Sequence, residues 1–384
     1  MAFYLAFKEI WRNRGRFFLF SLVIALITTL VLFIAALAEG LAAANKEYLE
    51  KLDAQVIIFQ KNVDLSANTS QIGRSTLNDI LRVPGVEDIG AIGLSGGSLI
   101  LDQSGNRLDV SLIGIEPGKP GNPDITAGRP IMTSRANEAV IDFRIAQQAD
   151  VGIGSDLTIR TIQGTEEKFY RVRVIGITSG QQYLFRPSLF LPYRTWDDIR
   201  PQPSTNRLNS ELVTNIVAVR LVPGVEIDQA RADIERFVSS VEAVDLKTAY
   251  EAIPGYKVQQ QTLNTQQFFT LLIGILVVGG FFQIQMLQKI PQIGVLKAIG
   301  ASNLLVGAAA VIQIILVTTF GVFFGALVTA ALALGIPGNV PIVFSGSTVA
   351  IAVAALLAIG PIGGLVTVRV AVGVEPLMAL GLSS

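Results

Sequence analysis

The stretch Gln288–Ser302, QKIPQIGVLKAIGAS, is a short amphipathic segment between two long apolar runs. Pro291 suits the first turn of a helix, where the backbone nitrogen needs no hydrogen. A helix that starts there points Lys297 to water. Its apolar side consists of Ile293, Leu296 and Ile299. Such a helix, lying across the ends of two membrane spans, can fit into a groove of a soluble partner; the alternative is an ordinary connecting turn held by one lysine at the membrane surface.

The apolar runs on either side are two of four windows that lack Asp, Glu, Lys and Arg. The windows are Phe17–Ala38, Phe268–Leu287, Leu304–Leu334 and Val349–Val368. Each has about 20 residues or more, the length that crosses a hydrocarbon core about 30 Å thick. Charged residues make up only 16% of the chain, whereas roughly a quarter of the residues in soluble proteins are charged. We predict four transmembrane helices.

Basic residues flank these windows unequally. They are Lys8, Arg12, Arg14 and Arg16 before the first window, Lys289 and Lys297 between the second and third, and Arg369 after the fourth. The link between the third and fourth windows, GIPGNVPIVFSGST, has no charge. By the positive-inside rule, we predict a multi-pass protein of the cell membrane with both termini cytoplasmic and the large middle region outside. The formal net charge is zero, so nothing favours nucleic acid as a partner.

The predicted fold class is four transmembrane α-helices with a large external α+β domain inserted between helix 1 and helix 2. The external domain spans residues 55–255 and is large enough for its own core. It combines a mixed α/β part, built from both ends of the segment, with a β-rich subdomain near residues 125–195. Residues 181–212 contain several Pro, Ser and Asn, which predict a surface connection or a loop that meets a partner.

The remaining predicted boundaries follow from the same windows. They are a cytoplasmic amphipathic helix at 1–16, transmembrane helix 1 with a stalk at 17–54, a stalk with transmembrane helix 2 at 256–287, a cytoplasmic loop at 288–303, transmembrane helices 3 and 4 at 304–335 and 347–368, and a cytoplasmic tail at 369–384. Residues 1–16 either lie along the inner leaflet as an interfacial helix or simply anchor the first span.

The composition excludes several kinds of chemistry. Cysteine and histidine are absent, so disulfides, thiol catalysis and the commonest proton shuttle are missing. A P-loop needs G-x-x-x-x-G-K-[ST], and its nearest approach, Gly118-Lys119, is followed by Pro120. We predict no catalytic residues, no metal site and no cofactor in this chain. A membrane-anchored enzyme is a disfavoured alternative.

Small and polar residues inside the windows have more than one interpretation. Two pairs match the G-x-x-x-G spacing: Gly321 with Gly325, and Gly360 with Gly364. This spacing lets two helices approach closely, but glycine is also frequent in membrane helices in general. Three glutamines lie at membrane depth: Gln283, Gln285 and Gln313. An unpaired amide is costly there, so these side chains are predicted to pair between helices, to line a cavity or to contact a substrate.

The segment QIGVLKAIGAS, from Gln292 to Ser302, resembles the E-I-G-x-[LM]-[RK]-A-[LI]-G-[AS] signature of FtsX-like, MacB-type (type VII) ABC transporter permeases. Those proteins also begin with a basic helix similar to FKEIWRNRGRF and end with a basic-to-proline tail similar to RVAVGVEPLMAL. They share the order of one span, a large external domain and three spans, so the resemblance covers the whole chain. It implies the same fold, including an external domain with a mixed α/β and a β-rich part.

In that family the loop between the second and third spans forms a coupling helix that docks on the ATPase subunit. The resemblance implies this role for the following residues: Gln292, Ile293, Gly294, Leu296, Lys297, Ala298 and Gly300. Gln292 stands where the family has an acidic residue, and Pro291 replaces a commonly charged neighbour. Docking is therefore expected to depend more on Ile293, Leu296 and Lys297. Since this chain has no P-loop, ATP and its magnesium ion belong to a separate ATPase subunit.

Two functions follow from the resemblance. In the first, two copies of the chain pair with two ATPase chains and transmit nucleotide-driven motion to the external domain, which exports or extracts an amphiphilic substrate. In the second, the same architecture moves no substrate and relays ATPase motion to a cell-wall hydrolase or a sensor. The implied partners are the ATPase, a second copy of the chain as a homodimer, membrane lipids, and a periplasmic adaptor or a cell-wall hydrolase.

Overall fold

The computed structural model describes residues 2–101, 106–202, 212–335, 340 and 342–373. The predicted tail from residue 374 onward lies outside the described residues, as do parts of the predicted connections at 181–212 and between the third and fourth spans. The chain divides into two compact units. The helical unit comprises Met1–Leu41 and Gln259–Ser384, and the sheet unit comprises Ala42–Val258.

Ten helices are present among the described residues. They are α1 (Ala2–Arg12), α2 (Arg14–Glu50), α3 (Arg74–Leu81), α4 (Phe143–Ala149), α5 (Tyr193–Ile199), α6 (Ile227–Phe237), α7 (Leu246–Glu251), α8 (Tyr256–Ala298), α9 (Asn303–Gly335) and α10 (Gly346–Gly373). Four of these helices, α2, α8, α9 and α10, are long and apolar enough to cross a membrane. Each of the four contains one of the charge-free windows of the sequence.

The helical unit has a core to which all four long helices contribute. Its buried residues include Phe20 and Ile24 of α2, Val278 and Phe282 of α8, Ile314 and Val317 of α9, and Leu356 and Ile359 of α10. The opposite faces of the helices are apolar too, since Leu26, Leu276 and Phe323 are exposed. A helix that is apolar all round is typical of a membrane span, where hydrocarbon instead of water surrounds the outer face.

Thirteen strands are present among the described residues, all in the sheet unit. They are β1 (Val56–Gln60), β2 (Ile72–Gly73), β3 (Val86–Ile100), β4 (Arg107–Ile115), β5 (Ile125–Gly128), β6 (Glu138–Asp142), β7 (Asp156–Gln163), β8 (Glu166–Thr178), β9 (Gln182–Tyr183), β10 (Arg186–Pro192), β11 (Val213–Thr214), β12 (Ile216–Leu221) and β13 (Val241–Asp245). Eleven of them form one sheet, while β11 and β2 pair separately.

The main path of the large sheet is β13-β1-β12-β3-β4-β10-β6-β8-β5. Two of its pairs are parallel, β10 with β4 and β6 with β8. Strand β7 pairs with both β3 and β8. Hydrogen bonds therefore close a ring of six strands, β3-β4-β10-β6-β8-β7, within the larger sheet.

Strand β3 joins the mixed α/β part of the sheet unit to its β-rich part. Val86 to Ile92 of β3 pair with β12 of the mixed part, whereas Ser98 to Ile100 pair with β7 of the ring. The two predicted parts are both present, and one sheet runs through them. This arrangement gives the parts a shared hydrogen-bonded framework.

Strand β1 is covered on both faces. Val56 and Ile58 share a buried cluster with residues of α3 and α6. Ile57 and Phe59 belong to a different buried cluster, which includes Tyr48 of α2. Successive side chains of a strand point to opposite faces, so helices cover both sides of β1. The carboxyl-terminal end of α2 is thus part of the core of the sheet unit.

Strand β10 corrects the prediction of a surface connection at residues 181–212. It pairs with β4 and β6, and Leu189 and Phe190 are fully buried. A strand that is buried on both faces has a continuous apolar run and no alternation. Pro187 and Pro192 lie near its ends, where a missing backbone donor is tolerated. These prolines made a buried strand resemble a loop in the sequence.

Candidate functional site

Helix α8 continues through most of the 288–302 segment, which was predicted to form a separate short helix. Pro291 lies inside α8, and the helix ends only at Ala298. The prediction of a separate helix lying across the spans is therefore wrong. A proline inside a helix costs about 3 kcal/mol, but burial of the next turn offsets part of this cost, because Ile293 is only 7% exposed. The segment is an extension of the second long helix.

A glycine cap ends α8. Gly300 has a φ of 99°, in the left-handed region that suits glycine at a helix end. Its amide donates to the Lys297 carbonyl at 3.0 Å, and the next amide donates to the Leu296 carbonyl at 3.0 Å. The Ser302 hydroxyl accepts a hydrogen bond of 3.2 Å from an amide in the first turn of α9. Only residues 299–302 connect the two helices.

The implied coupling residues differ in exposure. Ile293 and Gly294 are buried, whereas the exposed ones are Gln292, Leu296, Ala298 and Gly300. Lys297 is partly exposed, and its ammonium donates to the Val372 carbonyl of α10 at 2.7 Å in an exposed position. The last carbonyls of a helix lack amide partners, so a lysine satisfies one of them here. A partner can therefore contact only some of the residues of the sequence motif.

Lys289 connects α8 to α1 and α9. Its ammonium forms an ion pair with Glu9 of α1 and donates to Gln313 Oε1 of α9 at 3.3 Å. Nearby, the Arg16 guanidinium donates to Gln288 Oε1 at 2.8 Å. The Lys289 side chain is only 15% exposed, so loss of Glu9 would leave a poorly solvated cation. The amino-terminal helix is thereby attached to the start of the 288–302 segment.

A cavity of about 380 Å³ lies among α1, α8 and α9. Its polar lining includes Lys8, Glu9, Arg12, Asn13, Lys289, Gln292 and Gln313, and its apolar lining includes Met286, Ile293, Leu296, Leu305, Val306 and Ala310. Gln313 is 5% exposed, yet its Nε2 has no hydrogen-bond partner among the described residues. One amide of this cavity wall therefore offers an unused donor.

The other two glutamines at membrane depth behave differently from Gln313. Gln313 both pairs with another helix and lines the cavity. Gln285 is buried at 8% exposure, and Gln283 Oε1 has no hydrogen-bond partner among the described residues. Of the three glutamines, Gln313 is thus the one that both bonds to another helix and lines the cavity.

The glycines of the two G-x-x-x-G pairs lie at contacts between helices of one chain. A Cβ atom at Gly321 would lie 2.5 Å from Ile24 Cβ of α2, and one at Gly325 would lie 2.5 Å from the carbonyl oxygen of Ala25. Gly360 and Gly364 of α10 face α9 in the same way. Any side chain at these positions would push the helices apart.

A third close contact was not predicted from the spacing of glycines. A Cβ atom at Gly279 of α8 would lie 2.8 Å from the carbonyl oxygen of Gly363 of α10. The only signal in the sequence is the pair Gly279-Gly280 within the second window. The partner of such a glycine depends on how the helices pack, which the local pattern does not specify.

The sheet unit holds the carboxyl-terminal end of α2 by charged groups. Glu47 accepts hydrogen bonds from Arg144 and from Lys51, both at 3.1 Å. Lys51 also donates to the Gly180 carbonyl at 2.7 Å. Beside them Asp142 caps α4, and burial raises the pKa of its carboxyl above the ordinary value. This charged network adds directional bonds to the apolar contacts of α2.

Among the described residues, no group of three or more His, Cys, Asp or Glu side chains is close enough together to hold a metal ion.

Two family models match the chain in sequence order. Residues 17–237, more than half of the chain, match the MacB-like periplasmic core domain, and residues 267–376 match the FtsX-like permease C-terminal domain. The chain belongs to the MacB/FtsX family of ABC transporter permeases. The predicted four-helix architecture with an inserted α+β domain is confirmed, and the protein is a multi-pass membrane protein with an extracellular domain.

Curated relatives match over almost the whole chain. A hemin transport system permease protein, HrtB, of Staphylococcus haemolyticus is 27% identical over 377 residues, which cover 98% of this chain and 99% of the relative. A protein of the same description from Staphylococcus epidermidis is 22% identical with the same coverage. The family's order of domains is thus shared at full length.

Solved structures with some likeness to this chain are extracellular or periplasmic regions. The extracellular domain of the ABC-type transporter YknZ from Gram-positive bacteria has a TM-score of 0.36 at 15% identity and covers 50% of this chain and 98% of that structure. The periplasmic region of MacB from Actinobacillus actinomycetemcomitans has a TM-score of 0.36 at 16% identity and covers 52% of this chain and 92% of that structure.

Proposed function

We propose that this chain couples ATP hydrolysis by a separate ATPase subunit to motion of its extracellular domain, and that the motion exports or extracts an amphiphilic substrate. Membership in the family implies the ATPase partner. Two copies of the chain act together, each with one ATPase. Both termini and the 288–302 segment lie in the cytoplasm, because the basic residues cluster at these places.

The continuity of α8 is the observation that carries this proposal. Its 43 residues extend over about 65 Å at 1.5 Å per residue, about twice the thickness of a hydrocarbon core. Its carboxyl-terminal end exposes Gln292 and Leu296, and its first residues, up to Val258, belong to the sheet unit. A displacement of the exposed end is passed along one helix, since no loop interrupts it.

The end of α2 provides the second connection to the extracellular domain. Tyr48 is 1% exposed, and its hydroxyl donates to the Gly121 carbonyl at 3.1 Å. Glu47 and Lys51 bond to α4 and to the turn after β8. Because this end is part of a packed core, movement of α2 carries the sheet unit with it.

Hemin is the first substrate to test. The relatives that match at full length are described as hemin transport permeases, and hemin is an amphiphile with an apolar ring and two carboxylates. The proposed substrate class, an amphiphile that partitions into the membrane, includes it.

Proteoliposomes test the proposal. They contain the chain with the P-loop ATPase that co-purifies with it from native membranes, and hemin in the bilayer. We expect ATP hydrolysis to rise with hemin and hemin to pass to an apo-globin acceptor outside the vesicles only when ATP is present. Stimulated hydrolysis without movement of hemin or of other amphiphiles would favour the mechanical relay. Absence of both would contradict the proposed function.

A further inference from the structure

We propose that the cavity among α1, α8 and α9 binds one anionic phospholipid of the inner leaflet. The leaflet rests on the orientation given under the proposed function, whereas the binding chemistry rests on the cavity alone. The cavity volume is about 380 Å³, enough for a headgroup phosphate and the first part of the acyl chains. Three features of its lining indicate this ligand: its charge, one buried donor and its apolar wall.

The charge of the lining favours an anion. The cations Lys8, Arg12 and Lys289 line the cavity together with a single carboxylate, that of Glu9. Glu9 is already paired with Lys289. Lys8 and Arg12 line the cavity and form no ion pair within the described part of the chain, although the Lys8 ammonium lies 5.6 Å from the centre of the Tyr4 ring. Basic pockets between membrane helices on the cytoplasmic side are typical sites for phospholipid headgroups.

The buried amide of Gln313 indicates that the ligand carries an acceptor oxygen. Gln313 Oε1 accepts from Lys289 at 3.3 Å, which leaves Nε2 as a donor on the cavity wall. This donor has no partner among the described residues, although the residue is only 5% exposed. A buried donor without a partner is unfavourable, because it has lost its hydrogen bonds to water. A phosphate oxygen in the cavity would satisfy it.

The apolar part of the lining distinguishes a lipid from a soluble anion. Met286, Ile293 and Ala310 line the cavity and form one buried cluster, against which Val306 of the same lining packs. On the outer side of α1, Phe7 and Trp11 are stacked and exposed, as in a helix that lies in the membrane interface. A ligand in this place has both a charged and an apolar end. A bound phospholipid would hold α1 against the 288–302 segment.

Native mass spectrometry of the full chain provides the test. The purified protein is equilibrated with mixed micelles of equal parts phosphatidylglycerol and phosphatidylcholine. We expect one phosphatidylglycerol to be retained in preference to phosphatidylcholine. Arg12→Gln should lower the affinity for phosphatidylglycerol about fivefold, because the variant loses one cation that attracts the anionic headgroup. The retained fraction should fall accordingly. Gln313→Glu keeps an oxygen for Lys289 but replaces the donor by a carboxylate, and should abolish retention.

Arg14→Gln is the matched control, because Arg14 is also exposed but does not line the cavity. Its retention should equal that of the unmodified chain. Equal retention by the Arg12→Gln and Arg14→Gln variants, or no preference between the two lipids, would overturn the proposal. So would displacement of phosphatidylglycerol by excess inorganic phosphate, which would indicate a site for a soluble anion. Arg12 is exposed, so this comparison holds even if Gln313→Glu fails to fold.

Retention is measured without an ATPase, so the lipid site and the proposed function fail separately. A chain that retains phosphatidylglycerol as expected supports the site, whatever its effect on ATP hydrolysis.

Discussion

Helices α2 and α8 both extend beyond their membrane spans, but the side chains at their carboxyl-terminal ends differ in exposure. At the end of α2, Tyr48 and Leu49 are 1% and 2% exposed, and Glu47 is held by Arg144. At the end of α8, Leu296 and Ile299 are 40% and 79% exposed. One end is built into a packed core, and the other presents apolar side chains at a surface.

The two helix ends are therefore expected to have different roles. A helix end with buried side chains and charged bonds moves only together with its surroundings. Exposed apolar residues at the other end indicate a surface for a partner. Under the proposed function, the end of α8 receives the ATPase motion, and the end of α2 belongs to the domain that is moved. Substitutions at the two ends should therefore differ in what they disturb.

The largest effect on the free energy of unfolding is expected for Tyr48→Ala. The substitution removes a fully buried ring that contacts Phe190 and Tyr183 and leaves a cavity, at a cost of about 3–5 kcal/mol. Urea denaturation of the full chain in detergent, followed by tryptophan fluorescence, measures it. Phe237→Ala is the control, because Phe237 of α6 is exposed and should cost less than about 1 kcal/mol. Equal losses of unfolding free energy in the two variants would mean that the end of α2 is not packed into the core of the sheet unit.

A smaller effect is expected for Glu47→Gln at the same end. The amide cannot replace the charge that pairs with Arg144 and Lys51, so both partly buried cations lose this counter-charge. We expect a loss of about 1–3 kcal/mol in the same denaturation assay. Glu50→Gln is the matched control: Glu50 pairs with Lys46 but is 54% exposed, so its loss should stay below about 0.5 kcal/mol.

Asp245 caps α7, the short helix that precedes α8 in the chain. Asp245 accepts a hydrogen bond from the Thr248 amide at 3.4 Å, and the hydrogen bond with the Thr248 side chain lowers the pKa of Asp245. Because the folded-state pKa is the lower one, the carboxylate stabilises the fold above its ordinary pKa, and this stability is lost as the pH falls through the folded value.

Asp245→Ala should therefore cost about 1 kcal/mol at neutral pH, measured as the shift of the urea midpoint. Asp245→Asn keeps a capping oxygen and should cost less, while the acid-induced loss of stability becomes smaller than in the unmodified chain. An unchanged acid profile in Asp245→Asn would show that this carboxylate does not contribute to the pH dependence.

The smallest effect on stability is expected for Leu296→Asp at the exposed end of α8. Its side chain is already 40% exposed, so the change in the free energy of unfolding should stay within about 0.5 kcal/mol. The urea midpoints of this variant and of the unmodified chain should coincide. A loss of unfolding free energy as large as that of Glu47→Gln would show that both helix ends contribute equally to stability.

The membrane architecture could be predicted from the sequence because hydrocarbon imposes simple rules. A span needs about 20 apolar residues without charge, and the four windows that meet this rule are each contained in one long helix. The same patterns indicated the inserted domain of mixed α/β and β-rich parts. These predictions depend on composition over many residues and not on individual contacts.

The details of the candidate site could not be predicted because they depend on tertiary contacts. Pro291 is a local signal for the start of a helix, but it gave no information on the burial of Ile293 in the next turn of the continuous α8. The ion pair of Lys289 with Glu9 joins residues far apart in the sequence. The contact of Lys297 with the end of α10 is not visible in the local pattern either.

Stimulation of the co-purifying P-loop ATPase by two variants in proteoliposomes tests whether the end of α8 receives the ATPase motion. Leu296→Asp places a charge on the exposed end of α8, whereas Leu304→Asp places one on an exposed residue in the first turn of α9, where an acidic group is tolerated. We predict that Leu296→Asp lowers the stimulation of ATP hydrolysis at least about tenfold, the effect of roughly 1.4 kcal/mol, and that Leu304→Asp retains it. Full stimulation by Leu296→Asp, or an equal loss in both variants, would contradict the claim that the end of α8 receives the ATPase.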